Sequence, residues 1–175
     1  MKLLGCTLLA ALALVPVGCK QAKKVQVQQT VEESTRMASV VHMGDPKVES
    51  QLVSGFYGIE GNAWRWTARQ FTVALRPPFG ASQRGASLQL SLTVPQVVID
   101  KFKTLALTAS VDGSPLPPET YTQAGPYIYK RDVPANLLAG DSVKVDFQLD
   151  KAMPPSGGDL RELGIVVNSV SLEAK

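Results

Sequence analysis

Apolar and polar residues alternate in four short runs between positions 71 and 150, and this two-residue period most constrains the fold. Successive side chains of a β-strand point to opposite faces of a sheet, so each run predicts a strand with one buried face and one solvent-facing side. Pro77, Pro95 and the Asp112-Gly113 turn end the first three runs, as is typical of antiparallel strands. The four runs cover residues 71–76, 88–94, 105–111 and 143–150.

Other segments add to this pattern. Residues 165–172 begin with apolar side chains on both faces, which predicts a central strand. Residues 136–139 suit a single helical turn, and we expect no longer helix after residue 46. About eight short strands separated by turns predict an all-β fold, a two-sheet antiparallel β-sandwich or jelly roll. The further candidate strands are residues 53–57, 64–67 and 127–130.

The N-terminal region has the layout of a secretory signal. Lys2 precedes an apolar stretch, and small residues precede Cys19. The stretch is shorter than the roughly 20 residues that a membrane-spanning helix needs. A polar segment follows, in which residues 30–41 suit a short helix, and Val25 and Val27, which alternate with Gln, equally suit a short edge strand. We therefore predict a signal peptide at residues 1–18, a tether at 19–46 and the β-sandwich domain at 47–175.

Residues 15–19, Val-Pro-Val-Gly-Cys, resemble the lipobox of bacterial lipoproteins. In that family the cysteine is diacylated, becomes the new N-terminus and anchors the protein; an aliphatic residue usually stands where this chain has Pro16. The resemblance implies a lipid on Cys19 and an exported protein held in the cell envelope, on a periplasmic or outer-surface face. The alternative is ordinary cleavage that leaves Cys19 as a free thiol. We favour acylation because secreted proteins tend to avoid a lone thiol.

Several kinds of chemistry are disfavoured. The chain has one histidine, His42, so a catalytic triad or a multi-histidine zinc site is not expected. The sequence contains no phosphate-binding glycine loop, and we predict no cofactor and no metal. No basic stripe accompanies the net charge of +3, so we predict no nucleic-acid partner. A paired-carboxylate hydrolase stays open, because sequence does not give the separation of carboxyl groups such as those of Glu60, Glu119, Asp159 and Glu162.

Residues 54–67 contain both tryptophans of the chain together with Tyr57, Glu60 and Arg65. In a strand, Trp64 and Trp66 share one face and Arg65 lies on the other. Indoles on an exposed face would offer flat platforms that suit stacking against sugar rings. The alternative places one or both of them in the core, with Arg65 paired to Glu60 or Asp159. We favour that alternative because aromatic strand residues usually pack inside.

Residues 157–165 form a second segment of interest, where Gly157-Gly158 predicts a tight bend. Asp159 and Arg161 then project to the same side if the chain is extended. The carboxylate and the guanidinium have the groups to hydrogen-bond a polyol. They can equally pair with each other or with residues 60 and 65 to fix the loop, and we favour this structural interpretation.

The two segments together resemble a bacterial β-sandwich module. Its members begin with Gly-aromatic-x-x-Glu followed by Arg-Trp-Thr and end with Asp-x-Arg-x-Leu-Gly-[IV]. Residues 55–67 resemble the first motif, with one more residue between Gly55 and Glu60, and residues 159–165 match the second. Such modules occur beside glycosyltransferases or alone in exported proteins, and they are similar to carbohydrate-binding jelly rolls. The resemblance spans about residues 52–173 and implies the fold more directly than an activity. It makes four polar positions hallmarks: Glu60, Arg65, Asp159 and Arg161.

Our leading hypothesis is a non-enzymatic, lipid-anchored envelope protein that binds a glycan or a similar polar polymer. The second is a structural or assembly lipoprotein that docks a partner protein through a sheet face or edge. An exposed apolar area favours the second over the first. The candidate ligand-binding residues are Tyr57, Glu60, Trp64, Arg65, Trp66, Asp159 and Arg161, and no catalytic residue is assigned.

Overall fold

The computed structural model describes residues 37–175, and β-strands dominate this part of the chain. Short α-helices and 3-10 helices lie between the strands. No helix among residues 37–175 is long and apolar enough to cross a membrane. The strands are β1 (Val40–His42), β2 (Leu52–Glu60), β3 (Trp64–Leu75), β4 (Ala86–Val94), β5 (Leu105–Val111), β6 (Ser114–Tyr121), β7 (Gly125–Val133), β8 (Val143–Leu149) and β9 (Val166–Ala174). The α-helices are α1 (Ala81–Arg84) and α2 (Gln96–Phe102), and the 3-10 helices are Pro46–Gln51 and Ala135–Leu137.

The 9-stranded sheet of the described residues contains only antiparallel pairs. Its main path runs β6-β5-β8-β3-β9-β4-β7, with β1 beside β9 and β2 beside β3. The long strand β3 joins two halves, because residues 70–75 pair with β8 whereas Arg65 and Trp66 pair with β9. The halves pack face to face, and the Tyr129 ring of β7 lies 6.4 Å from the Phe147 ring of β8. The predicted all-β sandwich is therefore confirmed.

Side chains bridge the two ends of the path, β6 and β7. The Tyr129 hydroxyl donates to the Pro117 carbonyl oxygen at 2.9 Å, and Arg131 Nε donates to the same oxygen at 2.7 Å. Arg131 also pairs with Glu119 at 3.0 Å. The sheet is therefore nearly closed at this seam, which shields part of two strand edges from pairing with other chains.

The core follows the predicted alternation. On β8 every second residue is buried, and the same period buries one face of β4 and β5. The predicted central strand, now β9, lies between β4 on one side and β3 and β1 on the other. Aromatic packing across adjacent strands completes this core, since the Phe71 and Phe147 rings stack with centroids 4.9 Å apart.

Strand β6 has no counterpart among the predicted strands. Its sequence, SPLPPETY, contains three prolines, which lack the N–H that a central strand would donate. β6 is an edge strand paired with β5, and an edge tolerates prolines whose missing donors face away from the ladder. The three prolines therefore kept β6 from being predicted as a strand. It forms one because it pairs with β5.

The expectation of no longer helix after residue 46 is wrong for α2, which spans seven residues, Gln96–Phe102. Pro95 ends β4 and stands at the N-cap of α2, where its fixed φ suits a helix start. Val98 is buried against the core. Two helical turns are too short to show a 3.6-residue period in the sequence. The single turn expected near 136–139 is present as the 3-10 helix Ala135–Leu137.

The sheet includes residues that the sequence placed in the tether. β1 pairs with β9, and Val41 and Met43 are fully buried. Of the helix expected at residues 30–41, the structure describes residues 37–41, and the strand β1 begins there instead of a helix. A three-residue strand carries too little alternation to be found from sequence. The predicted signal peptide, Cys19 and the tether up to residue 36 lie outside the described residues.

Candidate functional site

The hairpin of β2 and β3 carries the two tryptophans. Glu60 pairs with Trp64 across the hairpin, so both side chains lie on the same face. The turn residues Gly61 and Asn62 have φ of 57° and 55°, a left-handed conformation that glycine and asparagine tolerate best. A Cβ on Gly61 would lie 2.9 Å from Nε1 of Trp64. The turn therefore needs glycine so that the indole can lie close against the backbone.

Trp64 and Trp66 lie on the outer side of β3, and both are half-buried. Their rings meet edge to face, with centroids 6.4 Å apart and an interplanar angle of 78°. This arrangement is favourable for two indoles and fixes each ring relative to the other. The interpretation of the tryptophans as core residues is therefore wrong, because the buried core of the described residues lies on the opposite face of β3.

Arg65 occupies that opposite face and is only 3% exposed. Its Nε donates to the Met43 carbonyl oxygen at 3.1 Å, and its Nη1 donates to the Tyr57 carbonyl oxygen at 3.1 Å. Its Nη2 pairs with Glu49 at 2.6 Å. The predicted partners, Glu60 and Asp159, are not used. Arg65 therefore fastens β1, β2 and the 3-10 helix Pro46–Gln51 to β3, and its place among the ligand-binding candidates is corrected to a structural one.

Arg161 is the centre of a second group, on the outer side. Its Nε and Nη2 both bind the Asp159 carboxylate, the Nη2 at 2.8 Å, and its Nη1 binds Glu60 at 2.9 Å. The guanidinium also lies 5.2 Å from the centre of the Tyr57 ring, within range of a cation–π contact. The structure thus brings together four of the predicted residues. We call Tyr57, Glu60, Asp159 and Arg161 the Arg161 cluster.

The loop that carries Asp159 and Arg161 has the predicted tight bend. Gly157 and Gly158 have positive φ, and Ser156 and Asp159 exchange backbone hydrogen bonds of 3.0 Å around them. On the hairpin side, the Tyr57 hydroxyl donates to the Glu162 carbonyl oxygen at 2.7 Å. Loop and hairpin therefore hold each other through both a side-chain ion pair and a backbone contact.

Hydrogen bonds from Arg161 lower the pKa of Asp159 to about 2, and the two carboxylates raise the pKa of Arg161 in return. Asp159 is therefore ionised at neutral pH and acts only as a hydrogen-bond acceptor. A glycosidase acid needs the opposite shift, a raised pKa that keeps its proton. What this cluster offers a ligand is two carboxylate acceptors and one guanidinium donor beside the Tyr57 ring.

The sequence did not single out a polar depression on the outer face of β3, β8 and β5. It has a volume of about 380 Å³ and is lined by amides and hydroxyls, including those of Gln70, Gln148 and Thr108. A second depression of about 460 Å³ shares Gln70 and is otherwise lined by Ala68, Arg69 and Glu162. The polar residues of the alternating runs were the sequence feature that could have indicated this depression. Polar residues on a strand usually face water without binding a ligand, so the feature is not specific.

Comparisons with known proteins give a fold and no family. No protein-family profile matches the sequence, and no curated protein matches it. A solved family GH115 4-O-methyl-α-glucuronidase with specificity for decorated arabinogalactans aligns over 80% of this chain, with 14% identity and a TM-score of 0.50. The chain spans 18% of that enzyme's length. A CBM4 structure aligns over 78% of this chain and 85% of its own, with 13% identity and a TM-score of 0.36. At such identities the enzyme's likeness supports the sandwich at the level of the fold alone.

Proposed function

We propose that this protein binds a glycan or a similar polar polymer on the outer face of the β2–β3 hairpin and does so without catalysing a reaction. The observation that carries the proposal is the pair of half-exposed indoles, held edge to face beside the Arg161 cluster. Flat apolar rings stack on the C–H faces of sugars, and neighbouring charged groups hydrogen-bond their hydroxyls. Binding sites of this kind combine apolar area with a few fixed polar groups.

The fixed geometry supports binding over a merely solvated surface. Trp64 is positioned by its contact with Gly61 and its partner Trp66, and the Arg161 side chain is held by two carboxylates. Groups that are already ordered lose little conformational entropy when a ligand arrives. The two indole rings and the polar groups of the Arg161 cluster are therefore already in place before a ligand binds.

The test is a titration of the purified protein with a panel of bacterial and plant glycans, decorated arabinogalactans included, followed by tryptophan fluorescence. We expect a saturable change with at least one glycan. Trp64→Ala and Trp66→Ala should each weaken that binding about tenfold or more, which corresponds to about 1.4 kcal/mol. Phe79→Ala is the matched control, since Phe79 is 97% exposed and follows the opposite end of β3.

Thermal unfolding of each variant accompanies the titration. Loss of binding in variants that unfold at the temperature of the unmodified protein supports the proposal. A flat response of the unmodified protein across the panel contradicts it.

The alternative is docking of a partner protein in the envelope, and one observation favours it. Leu160, between Asp159 and Arg161, is 87% exposed at the tip of a held loop. An exposed leucine on a fixed loop offers apolar surface that a protein partner can cover. Isolated exposed apolar side chains are nevertheless common on protein surfaces, so we give priority to the glycan. Cross-linking at position 160 that captures one specific envelope protein, together with a flat glycan panel, would select the docking function.

Export and anchoring form the second part of the proposal, which rests on residues 1–19 of the sequence. We propose that the protein is held in the cell envelope by a lipid on Cys19, with the sandwich domain outside the cytoplasm. Cys19→Ser should release the protein from the membrane fraction and abolish metabolic labelling with palmitate. The matched control is Cys6→Ser, which should still be labelled. Labelling and retention that survive the Cys19 change contradict the anchor.

A further inference from the structure

The outer face of β3 continues past the two indoles. Strand residues two apart share a face, so Trp64, Trp66, Ala68, Gln70 and Thr72 all lie on the outer side, whereas Arg65, Thr67, Phe71 and Val73 are buried. At about 3.3 Å per residue, the length of β3 from Trp64 to Thr72, measured along the strand, is about 26 Å. One strand thus connects the aromatic platform to the polar depression.

Two depressions lie along this face beyond the indoles. Ala68 has the smallest side chain of the row and stands between Trp66 and Gln70, where it lines the 460 Å³ depression. Gln70 lines both that depression and the 380 Å³ depression beyond it. The two depressions therefore share Gln70 as a lining residue, and we call the surface from Trp64 to the second depression the β3 track.

The far end of the β3 track is a regular polar array. Gln70 lies opposite Gln148, which lies opposite Thr108, so these three side chains form a row across β3, β8 and β5. Thr72, Asp146 and Ser110 form the next row by the same pairing. Adjacent strands are about 4.8 Å apart, so each row presents hydrogen-bonding groups at that interval.

Few of these groups bind one another. Thr72 donates to Asp146 at 2.7 Å, and Thr108 donates to the Gln148 carbonyl oxygen at 3.2 Å. The side-chain amides of Gln70 and Gln148 have no hydrogen-bond partner among residues 37–175, so each offers a donor and an acceptor to a ligand. Hydroxyl groups, which both donate and accept, are the natural complement of paired amides.

The charge of the β3 track restricts the ligand further. Its polar end carries the Asp146 carboxylate, the 460 Å³ depression has Arg69 beside Glu162, and the Arg161 cluster has two carboxylates for one guanidinium, so no part of the track has an excess of positive charge. Neither end therefore attracts an anionic chain. A neutral polyhydroxylated polymer fits both ends.

We propose that the ligand is a linear, neutral polysaccharide that lies along the β3 track, stacked on Trp64 and Trp66 at one end and hydrogen-bonded by Gln70 and Gln148 at the other. This inference rests on the proposed function and adds the length and charge of the ligand. It predicts that affinity rises with chain length, because only a chain of several sugar units reaches from the indoles to the amides.

The experiment uses oligosaccharides from disaccharide to hexasaccharide, derived from the neutral glycan that binds in the panel, with cello-oligosaccharides as the first series. Isothermal titration should show the dissociation constant falling at least about tenfold along the series. Gln70→Ala and Gln148→Ala should weaken hexasaccharide binding about fivefold and leave disaccharide binding unchanged. The control Gln123→Ala, at an exposed position outside the track, should change neither.

The outcomes separate the two proposals. Binding that depends on the tryptophans but not on chain length overturns the β3 track and leaves the proposed function standing. Equal losses for short and long oligosaccharides in the glutamine variants also overturn the track. Absence of binding to every glycan contradicts the proposed function itself.

Discussion

Two arginines of this protein, Arg65 and Arg161, belong to the same recognisable set of polar residues but lie on opposite faces of the β2–β3 hairpin. Arg65 is 3% exposed and donates to two backbone carbonyl oxygens as well as to Glu49. The side chain of Arg161 is 34% exposed and binds two carboxylates. The comparison shows how one kind of side chain fastens a fold in one place and shapes a surface in another.

Tyr57 connects the two arginines. Its carbonyl oxygen accepts from Arg65 on the inner side, and its ring lies against Arg161 on the outer side. The pairing of β2 with β3 has several register shifts around Tyr57, so this part of β2 has fewer regular ladder hydrogen bonds to β3 than an ideal hairpin would. Arg65 therefore fixes the backbone from which the Tyr57 ring projects. The buried arginine supports the outer surface without touching it.

The largest effect is expected for Arg65→Met, which keeps the volume and removes the donors. The carbonyl oxygens of Met43 and Tyr57 would lose their partner, and each buried unpaired group costs about 1–3 kcal/mol. We expect the free energy of unfolding, measured by urea denaturation, to fall by about 2–4 kcal/mol.

Glu49→Gln is the matched control for this change. The side-chain amide oxygen of the variant can still accept from Nη2 of Arg65, and the Glu49 side chain is 68% exposed, so the loss should stay below that of Arg65→Met. Equal losses for the two variants would show that Arg65 acts through its ion pair and not through the carbonyl oxygens.

A smaller effect on stability is expected for Arg161→Ala. Its ion pairs are more than a third exposed to solvent, and such pairs contribute less than about 1 kcal/mol. The free energy of ligand binding should fall by more than the free energy of unfolding does. The reason is that the substitution removes the donor beside the Tyr57 ring and leaves two carboxylates without their guanidinium. Arg84→Ala, at an exposed arginine outside the cluster, is the control. A loss of stability comparable to that of Arg65→Met would make the Arg161 cluster a structural element.

The same comparison shows what the sequence can and cannot reveal. Alternation predicted that Trp64 and Trp66 share a face opposite Arg65, and the hairpin has this arrangement. It did not decide which face is inside. The usual preference puts aromatic residues inward and arginine outward, and here that preference fails.

The reason for the failure lies outside the hairpin. The partners that satisfy a buried Arg65 come from Met43 and Glu49, and Met43 belongs to a segment that reads as a polar tether. By contrast, Glu60, Asp159 and Arg161 were expected to pair among themselves or with residue 65, and their mutual pairing is present. The sequence shows that the two motifs carry side chains of complementary charge. It does not show which backbone carbonyl oxygens will accept from Arg65, because every residue has a carbonyl oxygen.

The smallest effect, and the sharpest distinction between the two arginines, concerns pH. Hydrogen bonds from Arg161 lower the pKa of Asp159 from 3.8 to about 2. A carboxyl group whose pKa is lower in the folded protein contributes stability above its unfolded pKa, and this contribution disappears as the pH falls through the folded value. The Arg161 cluster should therefore stay intact from neutral pH to about pH 4 and open as the pH approaches 2.

Carbon-13 NMR of the Asp159 carboxyl should show titration near pH 2, and Arg161→Ala should return the pKa of Asp159 toward 3.8. Arg65→Lys changes no residue of the Arg161 cluster and should not move the Asp159 titration. A shift in that variant would mean that the inner arginine sets the geometry of the outer ion pair as well as that of the Tyr57 backbone.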